Sequence, residues 1–120
     1  GNILYDFGDM VRTTTSPTME DELDLTKVKM RLPLFKALTR GYLGATNDIL
    51  TKKEKKLIAF SGKMMAFTIG LRFLTDYLSG DTYFRVHRPQ HNLDRTRTQA
   101  KLTQSIELQE ENMQKYVDSL

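Results

Sequence analysis

Residues 57–78 read LIAFSGKMMAFTIGLRFLTDYL, and this stretch decides the fold. Leu57, Phe60, Met64, Phe67, Leu71, Leu74 and Leu78 recur at alternating spacings of three and four, the period of one helical face. A second stripe, Ile58, Met65, Ile69, Phe73 and Tyr77, runs beside the first. A helix apolar over so wide an arc is expected at the centre of a helical domain. Gly62 and Gly70 interrupt the run and mark either a boundary between two helices or a close approach by another helix. Upstream, Thr51-Lys52-Lys53-Glu54 has the form of a capping box, in which Thr51 caps free N–H groups and Glu54 reaches back.

The end of the run carries polar residues. Arg72 and Asp76 lie four apart on one helical face and can pair. Ionised groups on a core helix need partners, because a lone buried charge costs several kcal/mol. The turn pair Gly80-Asp81 follows, then Thr82-Tyr83-Phe84. This pattern fits an ion pair tying the helix to a loop, and it fits a polar site for a small hydroxylated ligand. Spacing does not choose between them.

Outward from this centre the chain reads as all-α, with about four or five helices. Leu4, Phe7, Met10 and Val11 give a helix over residues 4–14, stopped at Thr13-Thr14-Thr15-Ser16-Pro17. Residues 16–26 are polar and acidic, a connecting loop with room for one helical turn. Residues 27–32 alternate Val28, Met30 and Leu32 against Lys27, Lys29 and Arg31, which predicts an extended linker or a short edge ribbon. Pro33 can open a helix reaching Leu43, and Gly44 and Asn47 mark a turn. Pro89 rules out a continuous helix through residues 82–91. A long terminal helix starts at Asn92 or Asp94, with Leu102, Ile106, Met113, Val117 and Leu120 on one face.

The 120 residues suit one domain or a subdomain of something larger, and the opening without an initiator Met reads as the interior of a longer or processed protein. No apolar run approaches the roughly 18–20 residues of a membrane span, so no membrane partner is expected. With no cysteine, thiolate chemistry and Cys-based zinc sites are excluded, and a reducing, cytoplasmic setting is expected. A net charge of +3 demands no polyanion. Arg85, His87, Arg88, Arg95, Arg97 and Lys101 cluster around Asp94 alone, a group that could hold phosphates. They lack the interleaved aromatics of a single-strand binder, and a solvated loop and helix start explains them as well. No nucleic-acid partner is expected.

Asp6-Phe7-Gly8 invites comparison with the magnesium-binding triplet of protein kinases, but three residues without the upstream strand and catalytic loop are a weak match. Asp6 and Asp9 read instead as capping or pairing residues of the first helix, with Asp9–Arg12 the natural ion pair. His87 and His91 have Pro89 between them, which forbids presenting both on one helical face; no metal site is expected.

Taken in order, Tyr5-Asp6-Phe7-Gly8-Asp9-Met10-Val11-Arg12-Thr13, Glu20-Asp21-Glu22, Gly41-Tyr42-Leu43, Leu71 to Leu78, Gly80 to Phe84 and Asn92-Leu93-Asp94-Arg95 resemble the C-terminal part of the aminoglycoside-phosphotransferase-like kinases. The nearest branch in character is the N-acetylhexosamine 1-kinases, kinase-like two-lobed phosphotransferases that move the ATP γ-phosphate to a sugar hydroxyl with magnesium. The resemblance implies a helical acceptor-binding subdomain in which Arg72 and Tyr83 contact the sugar, Asp76 orients Arg72, and Arg12 plays a supporting part. It implies that the catalytic base, the metal-binding Asp and the nucleotide lobe belong to sequence upstream, so that Asp6 is no metal ligand. ATP and magnesium are then cofactors of the full-length sugar kinase, and none is expected for residues 1–120, which should be catalytically silent alone. The rival expectation is a non-enzymatic helical module that self-associates through apolar surface, one side of the 57–78 helix or Ile3, Leu4 and Phe7.

Overall fold

The computed structural model describes residues 3–46 and 50–120, and among these the regular structure is helical throughout. Five α-helices follow in order: α1 Ile3–Thr14, α2 Leu32–Thr46, α3 Lys52–Lys56, α4 Ile58–Leu78 and α5 His91–Asp118. The apolar period of 57–78 does produce the central helix. α4 packs along α5 on one side and crosses α1 on the other. The core consists of Phe7 and Val11 from α1, Val28 and Met30 from the segment after it, Phe35 and Leu43 from α2, Ile58, Ala59 and Ala66 from α4, and Leu102, Ile106, Met113 and Val117 from α5. Four of the five apolar residues expected on the terminal helix are buried; Leu120 lies past the helix end and is exposed.

The stripe with the most regular spacing is not the one that faces the core. Phe60, Met64, Phe67, Leu71 and Leu78 are exposed, Phe67 by 55% and Leu78 by 74%. The buried face of α4 instead combines Ile58, Met65 and Phe73 with small residues, Ala59, Ser61, Gly62, Ala66 and Gly70. Small residues let helix backbones approach closely. A Cβ on Gly62 would fall 2.7 Å from Val11 Cγ1, and one on Gly8 would overlap the Ser61 carbonyl. The two glycines therefore mark helix crossings, and α4 runs through both Gly62 and Gly70 without a break.

The break comes earlier. Thr51 forms the expected capping box with Glu54, its hydroxyl accepting from Glu54 N and the Glu54 carboxylate accepting from Thr51 N, both at 3.0 Å. At Leu57 the backbone leaves helical geometry (φ −99°, ψ 0°), which separates the short α3 from α4. Gly44 lies inside α2, which continues to Thr46, while the turn expected at Asn47 falls outside the described residues.

The acidic segment after α1 contains one 3-10 turn, Leu25–Lys27, capped by the Asp24 carboxylate. Residues 28–31 then run extended along α5. Val28 and Met30 are buried, but the ladder expected of an edge ribbon is replaced by side chains. Met30 N donates to Ser105 Oγ at 2.9 Å and Gln109 Nε2 donates to Met30 O at 2.7 Å. Arg31 closes the strap, its backbone N and its Nε both donating to Thr15 O. The expected linker is thus a strap pinned to a helix, its backbone groups satisfied without a second strand.

Candidate functional site

α4 ends in a Schellman turn. Asp81 N donates to Asp76 O at 2.8 Å and Gly80 N to Tyr77 O at 3.2 Å, while Gly80 adopts φ +94°, a conformation open to glycine at little cost. Asp81 continues in the left-handed region at φ 60°. The chain reverses direction within these two residues and returns over the last turns of the helix.

What holds the returning segment is Asp76. Its Oδ1 accepts from the backbone N–H groups of Thr82 at 3.0 Å and Tyr83 at 2.7 Å, and its Oδ2 from Phe84 N at 3.0 Å and Asn92 Nδ2 at 2.7 Å. Asp76 is 5% exposed. Burial alone would push its carboxyl up, but the N–H groups of Phe84 and Tyr83, the Asn92 amide and Thr82 N outweigh that, and the carboxyl sits below the usual range. A carboxylate that accepts so many N–H groups has little capacity left for a guanidinium. The Arg72–Asp76 ion pair expected from the i,i+4 spacing does not form.

Arg72 lies over rings instead. Its guanidinium carbon is 5.9 Å from the centre of Tyr83 and 5.8 Å from that of Phe84, within cation–π range. Phe84 stacks obliquely on Phe73 at 4.8 Å, and Arg95 covers Phe73 at 5.5 Å. Arg95 is fixed in turn by hydrogen bonds to Arg85 O and Asn92 Oδ1. Phe73, Phe84 and Arg72 thus build an aromatic and guanidinium layer outward from the buried face of α4. Tyr83 crowns it, edge-on to Phe84 and 74% exposed.

Around this layer opens a cleft of about 390 Å³ lined by Arg72, Thr75, Asp76, Ser79, Thr82, Tyr83 and Phe84. The cleft brings together Arg72, Tyr83 and Asp76, three of the residues singled out from the sequence. It offers guanidinium donors, the hydroxyls of Thr75, Ser79 and Thr82, and an exposed phenol ring. Arg72 makes no side-chain hydrogen bond to another described residue, so its donors face outward. This is the composition that suits a neutral hydroxylated ring, with polar groups at its rim and one flat apolar face.

Arg12 belongs elsewhere. It pairs with Asp9 at 3.0 Å, as its spacing predicts, and with Glu20 at 3.3 Å. It also reaches Gln99 at 3.5 Å, beside a separate cavity of about 210 Å³ under residues 16–20. Two carboxylates already neutralise it. Asp6 is exposed on α1. Among the described residues no group of three or more His, Cys, Asp or Glu side chains is placed to hold a metal ion.

The histidines serve the fold. His91 is 3% exposed; its Nδ1 accepts from His87 N at 3.1 Å and its Nε2 lies 2.8 Å from Asp21 Oδ2. The hydrogen bond from His91, partly opposed by burial, holds the Asp21 carboxyl below its usual value. Arg88 adds ion pairs to Asp94 at 3.2 Å and to Asp21 at 3.8 Å, and Arg97 approaches Asp94 at 3.7 Å. Arg88, with His91, thus locks the acidic loop at Asp21 onto the first turn of α5, while Arg97 pairs within α5.

Asn92 and Arg95 support the site from beneath; the sequence singles them out only within the Asn92-to-Arg95 stretch of the resemblance and, for Arg95, within the basic cluster. Both lie in a run of polar residues at a helix start, where exposed side chains are the ordinary outcome. No protein-family model matches the sequence.

Proposed function

We propose that this chain is the acceptor-binding helical part of an ATP-dependent sugar phosphotransferase similar to the N-acetylhexosamine 1-kinases. Arg72 and Tyr83 contact the sugar, and Asp76 is a positioning residue that acts through the loop rather than through Arg72. The observation that carries this reading is the set of N–H groups gathered on Asp76, which holds Tyr83 beside Arg72 at the mouth of an open cleft. The order of motifs from Tyr5 to Arg95 supports it from the sequence.

In this reading Arg72 donates to two ring hydroxyls in forked geometry. Tyr83 covers the C–H face of the ring, and Ser79 and Thr82 complete the hydrogen bonding. A volume of about 390 Å³ falls within the range of small-molecule sites. The segment binds and orients the acceptor, while ATP and magnesium are handled by other parts of the whole kinase.

The test is kinetic, on a kinase containing this segment. Arg72→Ala should raise the sugar KM about tenfold or more, a loss of about 1.4 kcal/mol, with the ATP KM unchanged. Lower thermal stability with unaltered sugar kinetics would contradict the proposal.

A further inference from the structure

The outward stripe of α4 has a property beyond being apolar. Phe60, Met64, Phe67, Leu71, Leu74 and Leu78, with Leu57 at the head of the helix, keep an unbroken three-four spacing, the seam of a coiled coil. A buried helix face needs no such regularity, and the buried face of α4 does not have it. We propose that this seam is an interface between two copies of the chain, which pack α4 against α4 about a two-fold axis in antiparallel fashion.

Three observations favour a second copy as the occupant. The first is register. Phe67 lies at the middle of the seam, so an antiparallel pairing sets Phe67 near its own symmetry mate, Met64 opposite Leu71 and Phe60 opposite Leu74. A self-complementary match of this kind is what a two-fold interface requires. The second is charge. The positions flanking the seam are Lys56, Ser61, Lys63, Thr68, Gly70, Thr75 and Tyr77; of the two charges, Lys63 is held by Glu110 at 2.7 Å, and Lys56, beside Leu57 at one end, lies far from its own symmetry mate in an antiparallel pair. Nothing along the seam repels an identical surface.

The third is area and shape. The outward side chains of the seam are exposed from Phe60 at 37% to Leu78 at 74%, a contiguous apolar patch of the kind that marks an interaction surface. Two apolar grooves flank them. One, of about 220 Å³, lies between Leu4, Tyr5, Phe60 and Met64; the other, of about 90 Å³, lies between Phe67, Leu71 and Leu74 of α4 and Thr96, Ala100 and Thr103 of α5. Seam and grooves together make one apolar face along the length of α4, the kind of surface that a stable interface of ~800 Å² per partner buries.

The interface is independent of the sugar reading, since the seam residues tested below are not in the cleft. Sedimentation of the full 120-residue chain at tens of micromolar should give twice the 13.9 kDa chain mass. Phe67→Glu, at an exposed position, should keep the helical circular dichroism and sediment as a monomer. Phe67→Lys alone should do the same, and an equimolar mixture of the two variants should return to the dimer mass. A monomeric parent chain would assign the seam to some other polypeptide and overturn the proposal. A Phe67→Glu chain that still dimerises, or a mixture that stays monomeric, would overturn it as well.

Discussion

The carboxylate of Asp76 and the carboxamide of Asn92 meet at 2.7 Å and join the end of α4 to the first turn of α5. Asn92 is fully buried, and its Nδ2 also donates to Asp81 Oδ1 at 3.0 Å while its Oδ1 accepts from Arg95 at 2.8 Å. Asp76, Asp81, Asn92 and Arg95 thus form one connected network beneath the cleft. Removing one member strands the others, since buried polar groups left without partners are costly. Tyr83 is joined to this network by its own backbone N–H, which donates to Asp76.

Asp76→Asn keeps the shape of the side chain but turns one acceptor oxygen into a donor facing N–H groups. The melting temperature should fall by on the order of 5–10 °C, followed by circular dichroism. Backbone amide exchange at residues 82–84 should rise more than in α1 or α2. An unchanged melt with protected 82–84 amides would show that the carboxylate is not what holds the loop.

Acid should weaken the fold through the same group. Asp76 and Asp21 both have carboxyls depressed in the folded chain, so their stabilisation is complete above the unfolded value near pH 4. It is lost as pH falls through the folded values, because the unfolded chain then binds more protons. Denaturant melts between pH 6 and pH 2 should show declining stability below about pH 4. In the Asp76→Asn chain the decline should be shallower.

The glycines make a paired prediction. Gly8→Ala places a methyl against the Ser61 carbonyl and Met65, forcing α1 away from α4, and should cost about 1–3 kcal/mol or more. Gly41→Ala, in the interior of α2 with nothing within 4 Å of the added carbon, should stabilise by about 0.5–1 kcal/mol. Urea melts of the two variants should move in opposite directions.

Helix positions were legible wherever one apolar stripe stood against a polar background, as in α1 and α5. Along α4 both flanks are apolar, and period alone could not tell the core side from the outer side. The deciding residues there are Ala59, Ser61, Gly62, Ala66 and Gly70, which lower the apolar signal on the face they allow to be buried. The break at Leu57 was hidden for a related reason, because the apolar spacing runs through it. Phe7 was taken as a candidate for exposed surface, yet it is fully buried, packed against Phe35 and Tyr42. At the cleft, Arg72 and Asp76 stood out because charge on an apolar helix is conspicuous, whereas Tyr83 was singled out by the resemblance alone. Three of the partners of Asp76 were missed because they are backbone N–H groups brought round by the Gly80 turn, which side-chain spacing does not reveal.

On the proposed reading, which gives the catalytic base and the metal-binding group to other parts of a whole kinase, the purified chain should transfer no phosphate from ATP to N-acetylglucosamine or N-acetylgalactosamine in the presence of magnesium. A radiometric assay reads this directly. Magnesium-dependent transfer by residues 1–120 alone would overturn that assignment.

The cleft can be tested without catalysis. Titrating the isotopically labelled 120-residue chain with N-acetylglucosamine, followed by amide and arginine side-chain NMR, should give saturable shifts at Arg72, Ser79, Thr82 and Tyr83. Arg72→Ala should weaken the apparent affinity about tenfold or more while leaving the spectrum of α1 and α2 unchanged. Spectra that stay unmoved at high sugar concentration, or an Arg72→Ala chain that binds as the parent does, would contradict the assignment of this cleft to a sugar.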